Sequence, residues 1–274
     1  MTSVYKEFYN LKENPFNVTC DPEFFFSSSR HSEAYSHLIY GIKERKGIVV
    51  ITGEIGTGKT TLCRTLLDHL DNQTKTAFIL NPKFSENQLL RLIVKDLGIN
   101  GTIKDRFSLV NELNEYLLKE ASQGHNVVII IDEAQNLGVT QLEQIRLLSN
   151  LETEKEKLLQ IILVGQPELL DKLKLPSLRQ LTQRVSVRYH ILPLEKSEVH
   201  DYIMHRVKIA SQSEHVSPPP IHFTDKAIEV IYLHSKGTPR RINILCDRAL
   251  LAGFVAGTFT IDEKIIYQCA REVG

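Results

Sequence analysis

A glycine-rich segment, Gly53-Glu-Ile-Gly-Thr-Gly-Lys-Thr60, constrains this chain more than any other part of the sequence. It follows the apolar run Gly47-Ile-Val-Val-Ile-Thr52 and precedes leucines at helical spacing between positions 62 and 70. A buried strand, a tight glycine loop and a helix in this order are typical of an α/β sheet with a phosphate-binding loop. The segment therefore predicts an α/β fold that binds a phosphorylated ligand.

The residue types in this loop suit a nucleoside triphosphate with Mg²⁺. Glycines at three positions permit backbone turns that direct successive N–H groups at phosphate oxygens, and the following helix adds its own N–H groups and dipole. Lys59 is expected to reach the β- and γ-phosphates, and the Thr60 hydroxyl to bind Mg²⁺. The alternative, a glycine turn without a ligand, is disfavoured by the flanking strand and helix. The nucleotide-binding residues predicted here are Gly53, Glu54, Ile55, Gly56, Thr57, Gly58, Lys59, Thr60 and Thr61.

Composition indicates an ordinary folded enzyme. The 274 residues are 42% hydrophobic, which is enough for one large or two modest domains. No run of eighteen apolar residues and no signal-peptide pattern occurs, so we expect a cytoplasmic protein. The 33 basic and 33 acidic residues balance, which disfavours non-specific nucleic-acid binding but leaves a local basic patch open. The four cysteines and ten histidines lack metal-ligand spacing, so we expect reduced core cysteines and no protein-bound metal cluster.

Other apolar runs predict the rest of a five-stranded parallel sheet. After the strand at 47–52 we expect strands at 76–80, 126–131, 158–164 and 185–191. Helices are expected at 85–97, 106–121 and from about 140 to 151. Ser85 and Gln88 form a capping box, Gly98 ends the same helix, and Asn81-Pro82 closes the second strand.

Asp132 and Glu133 directly follow the most apolar of these strands. Ligands bind at the carboxyl ends of strands in open α/β sheets, so Asp132 is expected to hold the Mg²⁺ that Thr60 also binds, through water. Glu133 is then placed to polarise an attacking water. The alternative is that both carboxylates only cap the next helix, which is disfavoured behind a phosphate loop.

Further polar residues near strand ends leave alternatives open. Gln166 follows the fourth strand and is expected either to position the hydrolytic water or sense the γ-phosphate, or to form a turn. Arg179, Arg184 and Arg188 precede or begin the fifth strand. One of them can complete the active site of a neighbouring subunit, whereas the competing interpretation is a solvated helix end.

Beyond Pro193 the pattern changes to helices alone. We expect helices at 197–210, 224–235, 240–256 and 262–272, with the stiff triproline 218–220 as a connection within a small helical domain. Pro239 suits a first helical position, and the arginines Arg240 and Arg241 after it lie at the positive end of a helix. That placement favours a phosphate contact. The predicted domains are residues 1–192, an α/β domain, and 193–274, an all-helical lid.

The assembled pattern resembles the AAA+ ATPases, and in particular the ATPase domain of the general secretion pathway protein A (ExeA) type and the ATPases of mannose-sensitive haemagglutinin pilus loci. The resemblance covers nearly the whole chain. It is carried by the phosphate loop and by segments beginning at Tyr9, Asp21, His31, Tyr40, Ile131, Leu142, Gly165, Leu178 and Gly237, among them Ile131-Asp-Glu-Ala-Gln-Asn-Leu137 and Gly237-Thr-Pro-Arg-Arg-Ile-Asn-Ile-Leu-Cys-Asp-Arg-Ala249.

The resemblance implies roles that the residues alone left open. ATP with Mg²⁺ would be the ligand, Gln166 the first sensor, and Arg240, after Pro239, the lid sensor at the γ-phosphate. Arg184, with Arg179 second, would reach into a neighbouring subunit of a homo-oligomer. Phe16 and His31 would lie on the adenine side of the nucleotide. Lys59, Glu133, Gln166, Arg184 and Arg240 are thus the predicted catalytic residues.

Three functions follow as alternatives. The first is an ATP-hydrolysing switch or assembly motor for a type II secretion or type IV pilus-like envelope machine, acting in the cytoplasm or at the inner membrane through partner proteins. The second is an ATP-dependent DNA-binding regulator of the transposition-ATPase kind, and the third is a scaffold that binds ATP without hydrolysing it. Secretion-type relatives continue into a membrane helix and a periplasmic region, so the chain is expected to be either a free-standing relative or one domain of a longer protein.

Overall fold

The computed structural model describes residues 4–80, 82, 85–99, 105–154, 156–211 and 221–273. Contacts group the chain into two compact units. The sheet unit comprises Ser32–Ile55 and Leu62–Ile191, and the helical unit comprises Met1–His31, Gly56–Thr61 and Leu192–Gly274. The domain division at 192/193 stays a prediction.

The sheet unit is built on five parallel strands. Their order across the sheet is β2-β3-β4-β1-β5. The five-stranded parallel sheet predicted from the sequence is therefore confirmed. The strands are β1 (Ile48–Gly53), β2 (Thr74–Ile79), β3 (Asn126–Ile131), β4 (Gln160–Gly165) and β5 (Val185–Ile191).

The polarity of each strand matches its place in the sheet. The central strands β1, β3 and β4 are almost wholly buried and consist mainly of valine, isoleucine and leucine. The edge strands β2 and β5 are only partly buried, with two buried residues in each. A strand covered on both faces gains from apolar residues at every position, since full burial of such a side chain contributes about 1.5–3 kcal/mol.

Among the described residues, seven α-helices precede or follow these strands. The capping box predicted before α3 is present, because the Ser85 Oγ accepts from Gln88 N at 3.4 Å and the Gln88 Oε1 accepts from Ser85 N at 2.9 Å. The first helix and two short late ones have no counterpart in the sequence prediction. The helices are α1 (Ser29–Lys43), α2 (Lys59–His69), α3 (Glu86–Asp96), α4 (Arg106–Ser122), α5 (Val139–Leu148), α6 (Glu168–Leu173) and α7 (Arg179–Gln183).

The helical unit contains four further helices and one short strand pair. The pair is parallel, with two residues in each strand, β6 (His222–Phe223) and β7 (Thr260–Ile261). The predicted helical C-terminal region is confirmed. The strand pair was not predicted, because a strand of two residues is too short to leave a pattern in the sequence. The helices are α8 (Lys196–Ile209), α9 (Asp225–Ser235), α10 (Pro239–Val255) and α11 (Glu263–Val273).

A few predictions need separate comment. The triproline 218–220 and Asn81 lie outside the described residues. Cys63, Cys246 and Cys269 are buried free thiols, whereas Cys20 is only partly buried and is not a core residue. Phe24 lies in the core of the helical unit.

The carboxyl ends of three strands lie side by side. β4 lies between β1 and β3, with Thr52 opposite Gly165 and Ile131 opposite Leu163. Because parallel strands end at the same edge, Gly53 and Asp132 belong to one edge of the sheet, called the carboxyl edge below.

Candidate nucleotide-binding site

The phosphate loop connects β1 to α2 in the predicted order. β1 ends at Gly53 and α2 begins at Lys59, so residues 54–58 make the turn. Gly56 and Gly58 have φ angles of +79° and +90°, a region that residues with a Cβ rarely enter. The Lys59 side chain is only 6% exposed. A buried lysine at the start of an eleven-residue helix is suited to an anion, because its ammonium and the helix N–H groups carry the same sign.

The remaining loop residues differ in exposure. Thr57 is buried, Thr60 and Thr61 are half-buried, and Glu54 and Ile55 are exposed. The loop thus presents both a protein-facing side and a solvent-facing side, which a ligand held by backbone groups requires.

The start of α10 contacts the loop directly. Arg240 N donates to the Gly56 carbonyl at 3.2 Å, and a Cβ on Gly56 would approach the Arg240 Cβ to 2.6 Å. Pro239 is the first residue of α10 and is buried, as its missing N–H allows at that position. The Arg240 side chain is exposed. Helix α10 therefore holds the loop through its backbone and leaves the predicted sensor side chain accessible.

His31 also contacts the loop. Its Nε2 donates to the Thr57 carbonyl at 2.8 Å, and its Nδ1 accepts from the Ser28 Oγ at 2.7 Å. A carbonyl can only accept, which assigns the proton to Nε2. The ring is 4% exposed and both nitrogens bond protein atoms. The structure places this residue behind the phosphate loop, and its predicted location beside the adenine stays a prediction.

Phe16, the other residue expected on the adenine side, is almost fully buried. Its ring packs edge-on against Phe223 in the core of the helical unit, at a centroid distance of 6.4 Å. Arg206 fixes the backbone on both sides, because its guanidinium donates to the carbonyls of Pro15 at 2.5 Å and Asn17 at 3.1 Å. The segment is therefore anchored to Arg206 of α8, and the location of Phe16 beside the adenine stays a prediction.

The acidic pair occupies the carboxyl edge of the sheet. Asp132 is 1% exposed, and its Oδ1 accepts from Glu133 N at 2.9 Å. Glu133 has a left-handed conformation with φ +53°. Helix α5 begins only at Val139, after Gly138 as N-cap. A 3₁₀ turn, Ala134–Asn136, directly follows Glu133, but the Glu133 side chain makes no capping hydrogen bond to it. The two carboxylates therefore do not cap α5, and Glu133 does not cap the turn before it.

Two amide side chains hold the Glu133 carboxylate. Its Oε2 accepts from Gln166 Nε2 at 3.2 Å and from Gln135 Nε2. Gln135 also accepts, through Oε1, from the backbone N of Gln166 at 3.0 Å. Lys172 supports this turn by donating to the carbonyls of Gln135 at 2.5 Å and Leu137 at 2.8 Å. Glu133 and Gln166, which the sequence suggested separately, are thus joined in one network.

Gln135 and Lys172 are the residues that sequence reasoning missed here. Gln135 could have been noticed in the sequence, because it is a polar residue that follows the same strand end as Glu133, two positions later. Lys172 gave no signal, because its role depends on where α6 packs.

Comparison with known proteins supports the resemblance found in the sequence. The model of the AAA domain matches residues 42–173. General secretion pathway protein A from Aeromonas hydrophila is 42% identical over an alignment of 274 positions, which covers 98% of this chain and 48% of that protein. The predicted resemblance to AAA+ ATPases of the general secretion pathway protein A type is therefore confirmed. The chain spans about half the length of that curated relative.

Solved structures support the same AAA+ fold. The ORC2 protein from Aeropyrum pernix, in ADPNP–ADP complexes, aligns with a TM-score of 0.64 at 16% identity, over 94% of this chain and 71% of that one. Cdc6p from Pyrobaculum aerophilum aligns with a TM-score of 0.68 at 16% identity, over 92% of this chain and 71% of that one. At this level of identity the likeness concerns the fold alone.

Arg184, the first candidate for an arginine finger, lies at the amino-terminal edge of the sheet, opposite the edge that carries the acidic pair. Arg184 immediately precedes β5, whose first residue Val185 pairs with Ile48 at the start of β1. At about 3.3 Å per residue, a seven-residue strand separates its two ends by about 20 Å. Arg184 is half-buried and Arg179 exposed. Arg188 donates through Nη2 to the Thr182 carbonyl at 3.0 Å, which gives it a local role.

Within the parts of the chain that the structure describes, no group of three or more His, Cys, Asp or Glu side chains could hold a metal ion. Nor does any helix among these residues have the length and apolarity to cross a membrane.

Buried histidines make the stability of the protein depend on pH. Burial lowers the pKa of His31 despite opposing effects of the Thr57 hydrogen bond and of Glu198, and burial likewise lowers the pKa of His205. The unfolded chain then binds protons more readily than the folded one below a pH of about 6.5. The free energy of unfolding therefore decreases as the pH falls from about 6.5 towards the pKa values of these histidines in the folded protein. The decrease is no more than about 1.4 kcal/mol per pH unit for each histidine.

We expect His31→Gln to reduce this loss. Urea unfolding between pH 7.5 and 5.5 measures the free energy of unfolding of wild type and variant. The wild-type value should fall more steeply than that of the variant, and equal slopes would show that His31 does not titrate differently in the two states.

Proposed function

We propose that this AAA+ protein binds ATP with Mg²⁺ and hydrolyses it. The observation that carries the proposal is the pair Asp132–Glu133 at the carboxyl edge of the sheet, the edge at which β1 ends in the phosphate loop. Binding alone would need only one of these carboxylates. The ADPNP–ADP complexes of ORC2 support a nucleotide in this fold.

The side chains expected beside the nucleotide include oxygen donors of the kind that Mg²⁺ prefers. The Thr60 hydroxyl and the Asp132 carboxylate are hard oxygen donors, and Mg²⁺ usually binds one or two such groups together with phosphate oxygens and waters. Asp132 is only 1% exposed, and a bound Mg²⁺ would offset the cost of burying its carboxylate charge. When bound, Mg²⁺ would neutralise charge on the β- and γ-phosphates.

Lys59 would bind the β- and γ-phosphates, and Arg240 would contact the γ-phosphate with its exposed side chain. Glu133 would accept a proton from the attacking water, which general-base catalysis requires. Gln166 would orient that water or the γ-phosphate, because its amide lies within hydrogen-bond distance of Glu133. The loop residues 53–61 would supply the remaining donors.

We further propose that the active enzyme is a homo-oligomer in which Arg184 serves a neighbouring subunit. Its distance from the carboxyl edge, about 20 Å along β5, excludes it from its own subunit's acidic pair. A head-to-tail interface can bring one edge of a subunit to the opposite edge of the next. The guanidinium would then stabilise charge on the transferring phosphate.

Replacement of Arg184 by alanine tests this arrangement. We expect the ATPase rate to fall about 100-fold, the usual effect of removing one donor that stabilises developing charge, while ATP binding changes little. A 1:1 mixture of R184A and E133Q should recover about a quarter of wild-type activity, since random assembly places an intact Arg184 beside an intact Glu133 at one site in four. A mixture that stays inactive would contradict a shared site. R248A, which removes an exposed arginine paired with Glu272, serves as the matched control.

The name of the relative supports a proposal for the process that ATP hydrolysis drives. General secretion pathway protein A favours an envelope secretion machine, with a pilus-type machine as the related possibility, and a cytoplasmic location at the inner membrane through partners. ATPase rate and particle mass should be measured with and without ATP, in the presence of lipid vesicles with peptidoglycan, or of duplex DNA. Stimulation by vesicles and peptidoglycan is expected. A salt-sensitive stimulation by DNA would instead favour the regulator.

A further inference from the structure

Two successive carbonyls of the phosphate loop are held by residues far away in sequence. The Gly56 carbonyl accepts from Arg240 N, and the Thr57 carbonyl accepts from His31 Nε2. In a planar trans peptide the C=O and the following N–H point in opposite directions. Fixing these carbonyls therefore directs the N–H groups of Thr57 and Gly58 to the opposite side of the loop.

The His31 ring is itself held in one orientation and tautomer. Ser28 Oγ donates to Nδ1, accepts from His31 N at 3.3 Å, and so fixes the ring on two sides. Phe25 packs edge-on against the ring at 5.7 Å. Rotation of the imidazole would break the hydrogen bond to Ser28 and the one to Thr57 together.

The glycine at position 58 is explained by the same contact. Gly58 has φ +90°, and a Cβ there would lie 3.0 Å from His31 Nε2. The ring thus approaches the backbone more closely than a side chain at position 58 would permit.

Helix α8 reaches the first turn of α1 beside this ring. The Glu198 Oε1 accepts from both N and Oγ of Ser29 at 3.0 Å, and its Oε2 accepts from Glu195 N at 3.0 Å. Ser29 lies next to Ser28 and two positions before His31. The C-terminal helices therefore contact the loop through α10 and, by way of α1, through His31.

We propose that His31 is a positioning residue for the phosphate loop: it orients the Thr57–Gly58 peptide so that Gly58 N–H faces the phosphates. This inference rests on the proposed nucleotide site. It assigns His31 to the phosphates through the loop, with no contact to the base. Loss of the Nε2 donor should weaken the binding of every ligand that carries the triphosphate group, whatever its base.

Two amide variants test the role of the Nε2 hydrogen-bond donor separately from that of the imidazole ring. In His31→Gln the amide nitrogen takes the place of Nε2 and can still donate to Thr57, whereas in His31→Asn it takes the place of Nδ1 and cannot reach that carbonyl. We expect His31→Asn to raise the dissociation constants of ATP and of inorganic tripolyphosphate about tenfold, by a common factor. His31→Gln should stay within about threefold of wild type.

The measurement is competition with a fluorescent ATP analogue, using the full chain. Weaker binding of ATP with unchanged tripolyphosphate binding would mean that His31 meets the base, and equal affinity of His31→Asn and wild type for both ligands would also overturn the proposal. If wild type bound neither ligand, the proposed nucleotide site would fail instead. Ser28→Ala, which removes only the hydroxyl that orients the ring, should also weaken the binding of both ligands. This variant replaces His31→Asn in the test if His31→Asn does not fold.

His205→Asn is the matched control for stability. This histidine is also partly buried, with a pKa lowered by burial, and it packs against Phe26 at 5.5 Å, away from the loop carbonyls. Its replacement should lower the melting temperature without changing the affinity for tripolyphosphate. If the loss of affinity in His31→Asn followed stability alone, His205→Asn would show it as well, and the positioning role would be wrong.

Discussion

Lys59→Ala should abolish nearly all ATP turnover, with kcat/KM lower by about 10,000-fold. The ammonium lies at the start of α2 and is almost fully buried, so no water can replace it efficiently at a bound phosphate. Losing a charge-assisted contact costs about 100-fold in binding, and loss of charge stabilisation in the transition state costs about 100-fold more. Equilibrium titration with a fluorescent ATP analogue measures the first factor and steady-state ATPase assays the product.

Lys174→Ala provides the control for this substitution. Its ammonium is exposed and pairs only with exposed Asp171, so its removal should change neither binding nor turnover. Retained affinity together with normal turnover in Lys59→Ala would count against the assignment of the phosphate loop.

Glu133→Gln should keep ATP binding and lower kcat about 1,000-fold. An amide cannot take a proton from water, and general-base catalysis contributes about 100-fold to 10,000-fold. The amide oxygen can still accept from Gln135 and Gln166, so the turn after β3 should keep its structure. Single-turnover assays with radiolabelled ATP measure the chemical step directly.

Glu143→Gln is the matched carboxylate control. Glu143 lies on α5 and pairs with Arg146 at 2.6 Å, so its loss should leave the chemical step unchanged. Unchanged hydrolysis in Glu133→Gln would refute the general-base role. Absence of hydrolysis in a wild-type oligomer that binds ATP would favour the scaffold alternative.

Local sequence signals predicted much of the fold. Unbroken β-branched runs specified β1, β3 and β4, because a strand buried on both faces needs apolar residues at every position. The capping box at Ser85 and the proline at 239 specified helix starts, since each satisfies or tolerates an unpaired N–H. Helix α1 was missed although its buried residues Ala34, Leu38 and Ile42 recur at helical spacing, so its signal was present in the sequence.

The candidate site was predictable in its parts and not in its connections. Asp132 and Glu133 stand out because two carboxylates end an apolar strand. Gln135 could be noticed but not assigned, since its hydrogen bonds to Glu133 and Gln166 depend on β4 lying beside β3. His31 had no sequence signal that would connect it to Thr57, which is 26 positions away.

The sequence by itself determined that this chain forms a parallel α/β sheet with a phosphate loop and acidic residues at strand ends, because strand burial, helix starts and glycine turns depend on neighbouring residues. Only the tertiary structure decided the strand order, which inserts β4 between β1 and β3. It also decided that Arg184 lies at the far edge and that His31 and Arg240 hold the loop carbonyls. Such pairings join distant segments, and they form where the folded chain brings a donor to an acceptor.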